Sequence, residues 1–208
     1  MLSLAASGIA QVPPSWTEPF PPHHIVGNVY YVGSKGLASY LITTSEGSIL
    51  INSSLESSVP LIQSSVEKLG FRFNDIKILL ISHAHWDHAA GSTQIKKLTG
   101  AKYMVMEGDV DVVESGGKTD LVNNPKYPEI ASDYERTFRV LKSLPCDIFL
   151  GAHGDYYGME AKFAKMKKKS GDHKAFVDPN GYKNYVKDRE QAFRAEWRKQ
   201  MLAVNRAP

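Results

Sequence analysis

The chain has 208 residues, a formal charge of +3 at neutral pH, 42% hydrophobic and 23% charged residues. That length can bury a full core and fits one domain, and the composition is ordinary for a soluble globular protein. No stretch is long enough to span a membrane. Part of the positive charge sits at Lys162, Lys165, Lys167, Lys168 and Lys169. This run reads as the solvated end of a helix, with an anionic partner as the alternative. No aromatic surface is expected among these lysines, so nucleic acid is excluded as a partner. The single cysteine, Cys146, rules out an internal disulfide and leaves the compartment open.

The segment from Met1 to Gln11 is small and apolar, with Gly8 and Ala10 placed as a signal peptidase accepts. It lacks the basic residues that open a signal peptide. An export-signal remnant, and with it a periplasmic or secreted location, is the reading preferred over a frayed terminus. Pro13, Pro14, Pro19, Pro21 and Pro22 make residues 11–24 an extended arm. Residues 1–24 are thus signal remnant and arm, and residues 25–208 form a single domain.

Three short strands follow at 28–32, 38–43 and 48–51, punctuated by Gly33, Gly36 and Gly47. Val59, Ile62, Val66 and Leu69 recur at helical spacing, and Gly70 ends that helix. The apolar run 76–81 predicts a strand buried on both faces. Residues 89–99 read as helix and 102–106 as strand. Ile130, Tyr134, Phe138 and Leu141 make the stripe of another helix. Asp147 to Gly151 reads as a strand, and a final helix carries Phe193, Trp197 and Met201 on a core-facing side. Alternating strands and helices predict an α/β (α+β) fold, a sheet covered by helices.

His83-Ala84-His85-Trp86-Asp87-His88 comes directly after the strand at 76–81. Imidazole and carboxylate both suit zinc, and a loop beyond a strand end lets neighbouring side chains converge. His83 and His85 share one side of an extended segment, whereas Asp87 and His88 point elsewhere. The cluster can therefore serve two adjacent metal ions; the plain alternative is a solvated loop rich in histidine. His153 follows a predicted strand, with Gly151 and Gly154 leaving space around it. Alone it reads as structural, and beside the earlier cluster it reads as a ligand.

With these residues the chain resembles the metallo-β-lactamase-fold hydrolases, and within them subclass B3. The resemblance extends over 27–33, 37–42, 49–53, 115–120, 144–150 and 176–179. It implies a four-layer αββα sandwich with a two-zinc site at one edge. It also implies that His83 and His85 belong to the first zinc site, and Asp87, His88 and His153 to the second. A water held by zinc loses a proton near neutral pH and attacks a carbonyl. In this family the carbonyl belongs to a small-molecule β-lactam, the second zinc stabilises the departing nitrogen, and Asp87 is the catalytic residue that orients the water. Antibiotic resistance is the biological role so implied.

The pattern departs from the family after Asp120. A third first-site histidine, on a Gly-His-Thr-like loop, is expected between the 115–120 match and the stretch beginning at Leu121. Here Leu121 follows at once, and no histidine lies between His88 and His153. A deletion junction at 120/121 and a truncated second half of the sandwich are the expectation. So is an exposed sheet edge open to self-association. His23, His24 and His173 are expected to be solvent-exposed bystanders. The alternatives to β-lactam hydrolysis are a metal-binding but inactive remnant and a mono-zinc thioester or lactone hydrolase. Cys146 is expected to be a small buried hydrophobe.

Overall fold

A computed structural model of the chain describes residues 12–105, 120–125, 127–168 and 172–204. The match at 115–119, Met106 of the strand expected at 102–106, and the signal segment lie outside the described residues. Six strands form one mixed sheet in sequence order. They are β1 (His23–Val26), β2 (Val29–Tyr31), β3 (Tyr40–Thr44), β4 (Gly47–Ile51), β5 (Ile76–Leu80) and β6 (Lys102–Met104). The first four pair antiparallel as tight hairpins and a meander. From β4 onward the pairing is parallel, because helices now intervene between strands. The second sheet of a four-layer sandwich is not represented among the described residues.

Alternation along the strands assigns the two faces of the sheet. Leu41 of β3 and Leu50 of β4 face Val59, Ile62 and Val66 of helix α1 (Val59–Lys68) and Ile95 of α3 (Ser92–Thr99). Tyr31 and Tyr40 face the other way, onto Met159 and Met166 of helix α5 (Met159–Lys168) and Phe176. A third cluster joins helix α4 (Ile130–Ser143) to α6 (Pro179–Val204) through Phe138, Tyr182, Val186 and Phe193. No helix of the described residues is long and apolar enough to cross a membrane.

Several expectations are corrected. The helix expected at 89–99 is two helices, α2 (Trp86–Ala89) and α3, broken at Gly91. A Cβ at Gly91 would lie 2.6 Å from the Ser53 carbonyl oxygen, so the backbone must pass too closely there for any side chain. The segment 147–151 is extended but not a strand, because among the described residues it forms no ladder with the sheet, and its continuation makes an isolated bridge from His153 to Leu37. Strand β5 is fully buried at Ile76 and Leu79 but only partly at Ile78 and Leu80, so one face of it is incompletely covered. Tyr134 and Met201 are exposed instead of joining the core, whereas Phe193 is buried. The lysine run is exposed as expected at Lys165, Lys167 and Lys168, but its intervening Phe163 turns inward onto Phe20 and His23. Cys146 is half-buried at the edge of the α4–α6 cluster.

The arm does not stay irregular to residue 24. His23 and His24 open β1, and His23 is 6% exposed, not a bystander. Its ring stacks on Tyr31 and Phe176 and packs against Phe163. Nδ1 donates to the Pro21 carbonyl at 2.9 Å, which leaves Nε2 buried without a partner among the described residues. Burial pushes the His23 pKa below its ordinary 6.5, opposed by the Pro21 bond and reinforced by His24. His24 and His173 remain exposed.

The unfolded chain therefore takes up a proton at position 23 near pH 6.5 while the folded chain stays neutral, so stability falls as pH drops below that value. Thermal melts between pH 7 and pH 5 are expected to show a decline that is shallower in His23→Phe. Parallel declines in the two proteins would contradict this assignment.

Candidate metal centre

The metal-ligating side chains gather where β5 ends. In a parallel β–α crossover the strand's carboxyl end opens a crevice, and the chain there must turn into a helix. Ser82 leaves β5, His85 is the residue before α2, and Asp87 and His88 sit in its single turn. The His88 amide donates to the His85 carbonyl at 3.0 Å, which closes that turn. His85 is exposed and His83 partly so, whereas Asp87 and His88 are buried.

His153 arrives from 65 residues away. The Tyr40 hydroxyl donates to the Gly151 carbonyl at 2.6 Å, and the Ala38 amide donates to the Ala152 carbonyl at 3.0 Å. The Gly154 amide then donates to the Gly36 carbonyl at 3.2 Å. A Cβ at Gly154 would meet the Lys35 carbonyl oxygen at 2.8 Å, so glycine is needed for that approach. Trp16 of the arm and Tyr156 flank the His153 ring, with centroids 5.7 and 4.7 Å away.

Two groups of donors result, His83–His85–Asp87 and Asp87–His88–His153. In the second, Asp87 Oδ2 lies 3.2 Å from His88 Nε2 and 3.3 Å from His153 Nε2, and the two nitrogens are 3.2 Å apart. That near-equilateral triangle fits one face of a tetrahedron around zinc, whose edge is about 3.3 Å for bonds of about 2.0 Å. In the first, His83 Nε2 and His85 Nδ1 are 3.1 Å apart, again one such edge. Ser82 Oγ, 3.2 Å from His83 Nδ1, orients that ring. All five expected ligands are thus brought together, and the donor set suits zinc. Asp87 belongs to both groups, an arrangement absent from the expectation that it serves the second alone. Nδ1 of His88 is buried without a partner among the described residues, unlike the supported imidazoles of most metal sites.

The electrostatics favour ligation. Burial works to raise the Asp87 pKa, yet hydrogen bonds from His153 and His88 outweigh it and hold the carboxyl well below the usual carboxylate range. His83 is pushed down to about 4, mainly by burial and then by His88 and His85, against the pull of Asp87. Neutral imidazoles and an ionised carboxylate are the forms that bind a metal.

One supporting residue carries no role in the sequence reading. Asn52, fully buried just after β4, accepts from the Ser82 amide at 2.8 Å through Oδ1. Its Nδ2 donates to the Ala38 carbonyl at 3.2 Å. It thereby ties the segment bearing His83 to the one that holds the residues leading to His153. Its φ is +66°, a region that asparagine tolerates better than most residues. Beside it Ser53 bonds the His88 carbonyl through both its amide and its hydroxyl, at 3.0 and 3.1 Å. The polar run Asn52-Ser53-Ser54 directly after an apolar strand was the available signal.

Comparison with known proteins agrees with this geometry. Residues 33–118 match the metallo-beta-lactamase superfamily. The structure is similar to native FEZ-1 metallo-beta-lactamase from Legionella gormanii, with 39% identity and a TM-score of 0.81, over 89% of this chain and 98% of that one. It is also similar to BJP-1, a subclass B3 metallo-beta-lactamase of Bradyrhizobium japonicum, with 29% identity and a TM-score of 0.80, over 92% and 98% of the two chains. The class B3 di-zinc enzyme LRA-12 from an Alaskan soil metagenome matches at 27% identity and a TM-score of 0.77, over 88% and 96%. The chain belongs to the metallo-β-lactamase superfamily. Within it, the chain falls with the subclass B3 enzymes.

Asn52→Leu removes both side-chain bonds of the residue that joins the two halves of the centre. It is expected to cost about 1–3 kcal/mol in urea unfolding and to weaken zinc binding by about 10–100-fold in competition titrations. Asn52→Asp keeps the acceptor for Ser82 but sets a buried carboxylate oxygen against the Ala38 carbonyl, so it should be no milder than Asn52→Leu. Unaltered zinc affinity in Asn52→Leu would refute the joining role.

Proposed function

We propose that this chain is a zinc-dependent hydrolase that opens the amide bond of β-lactam antibiotics. Asp87, His88 and His153 would hold one zinc ion, and His83 and His85, with the shared Asp87, a second. Bound zinc supplies a water acidified toward neutral pH and a Lewis acid for the departing amide nitrogen. The observation that carries the reading is the three-donor triangle at Asp87, His88 and His153. The subclass B3 relatives support the substrate class.

The protein's own groups divide the remaining work. With Oδ2 and the two Nε2 atoms turned toward zinc, Oδ1 of Asp87 would be left to accept a hydrogen bond from the water and to aim it. Burial of Asp87 and His88 keeps bulk water from competing for those donors. Beside His153 a cleft of about 460 Å³, walled by Trp16, Lys35 and Gly154, offers room for a small bicyclic substrate. Neither step needs a serine or cysteine nucleophile.

One observation favours a second reading, a metal-binding remnant without turnover. Among the described residues the first group has only the shared Asp87 as a third donor, and the sequence has no histidine between His88 and His153. We attribute this to a block missing after Asp120. The first site then binds zinc more weakly than the second, because a lost ligand gives up part of the coordination energy. The apolar residues before Gln11 and the nature of the substrate support a periplasmic or secreted location and a role in antibiotic resistance.

Zinc analysis combined with nitrocefin turnover separates the readings. Hydrolysis is expected to rise as zinc is added beyond the first equivalent, and Asp87→Ala should lower kcat/KM by more than about 100-fold, beyond the cost of losing an outer partner. Saturation at one zinc with no turnover would establish the remnant instead.

A further inference from the structure

His88 is the most deeply buried of the five ligands, with no exposed surface. A metal-bound imidazole is almost always aimed by a partner on its second ring nitrogen. Here that nitrogen, Nδ1, is buried without a partner among the described residues. The rings beside His88 belong to His83 and His153, which are themselves ligands and offer it no independent support. The aim of the ring then falls to the backbone that carries it.

That backbone is held by two serine hydroxyls in series. Ser53 Oγ lies 3.1 Å from the His88 carbonyl oxygen and 2.9 Å from Ser92 Oγ. A hydroxyl has one proton to give, and a carbonyl only accepts. Ser53 therefore donates to His88, and the second bond must run from Ser92 to Ser53. The two serines are 0% and 5% exposed, so water does not compete for either hydroxyl. In such a chain each bond polarises and strengthens the next. Ser92 opens α3 directly after Gly91, whose amide donates to the Ser54 carbonyl at 2.9 Å. The junction of α2 and α3 is thus clamped to the loop after β4 at His88, Gly91 and Ser92.

We propose that Ser92 is a positioning residue of the metal centre, which aims His88 Nε2 at zinc through the Ser53 hydroxyl. It takes over the task that an Nδ1 partner performs elsewhere. The inference rests on the reading of Asp87, His88 and His153 as a zinc site, and not on the identity of the substrate. Nε2 lies 3.2 Å from both Asp87 Oδ2 and His153 Nε2, so a small tilt of the helical turn opens the triangle. Without Ser92, the Ser53 hydroxyl keeps its acceptor but loses the neighbour that fixes its direction.

Zinc competition titrations on the full chain test this with turnover left out. Ser92→Ala is expected to weaken the tighter zinc about tenfold. Ser53→Ala should weaken it at least as much, and adding Ser92→Ala to that variant should change nothing further. Unaltered affinity in Ser92→Ala, or a full additional loss in the double variant, would overturn the proposal. Val66→Ala, a core change on α1, controls for stability: it should lower the urea midpoint and leave zinc affinity intact. An equal loss of affinity there would assign the Ser92 effect to stability and overturn the positioning role. In the metal-free chain, the His88 ring resonances should shift in Ser92→Ala and stay in place in Val66→Ala; unshifted resonances in Ser92→Ala would overturn the proposal. Failure of the wild-type chain to bind zinc would defeat the metal reading alone, since the ring resonances judge Ser92 separately.

Discussion

Two imidazoles, from residues 65 positions apart, share a single oxygen of Asp87, and much of the fold serves to permit that meeting. A carboxylate buried beside His88 would be costly alone; the bonds from His153 and His88 make it affordable and keep it ionised. For His153 to arrive, the segment after α4 must lie against β3. The Tyr40–Gly151 and Ala38–Ala152 bonds place it there, and Gly154 allows the final approach to Lys35. Asn52 then couples this side of the centre to the strand end that bears His83.

The two donor groups differ in how they are supported. Asp87–His88–His153 is built on a helical turn whose carbonyl is held twice by Ser53, and its three donors already match one face of a tetrahedron. His83 and His85 lie on the exposed side, oriented by Ser82 and by each other. Borrowing Asp87 gives the first group a third donor, so in the proposed centre its filling would depend on the second. That dependence gives a physical reason for the two sites to fill in order.

Much of this was legible in the residues. Ligands within 83–88 are local, so alternation and the turn into α2 place them without tertiary information. His153 was legible because glycines surround it, which tells of close backbone approach. What escaped was long-range. Residues 147–151 carry a strand's apolarity but find no ladder partner. His23 looked like part of a proline-rich arm, yet Tyr31, Phe163 and Phe176, far apart in sequence, enclose it. Asn52 has no chemistry of its own, and only the positions of Ser82 and Ala38 reveal its role. Gly91 splits an apparently continuous helix because the Ser53 carbonyl approaches it from the loop after β4.

In the proposed enzyme the first zinc ion enters at Asp87, His88 and His153. X-ray absorption on the protein loaded with one equivalent of zinc reads the imidazoles around that ion directly. Two imidazole ligands are predicted, one of them lost in His153→Ala while His85→Ala leaves the spectrum unchanged. A spectrum insensitive to His153 but altered by His85→Ala would place the first zinc at the other group and contradict the account.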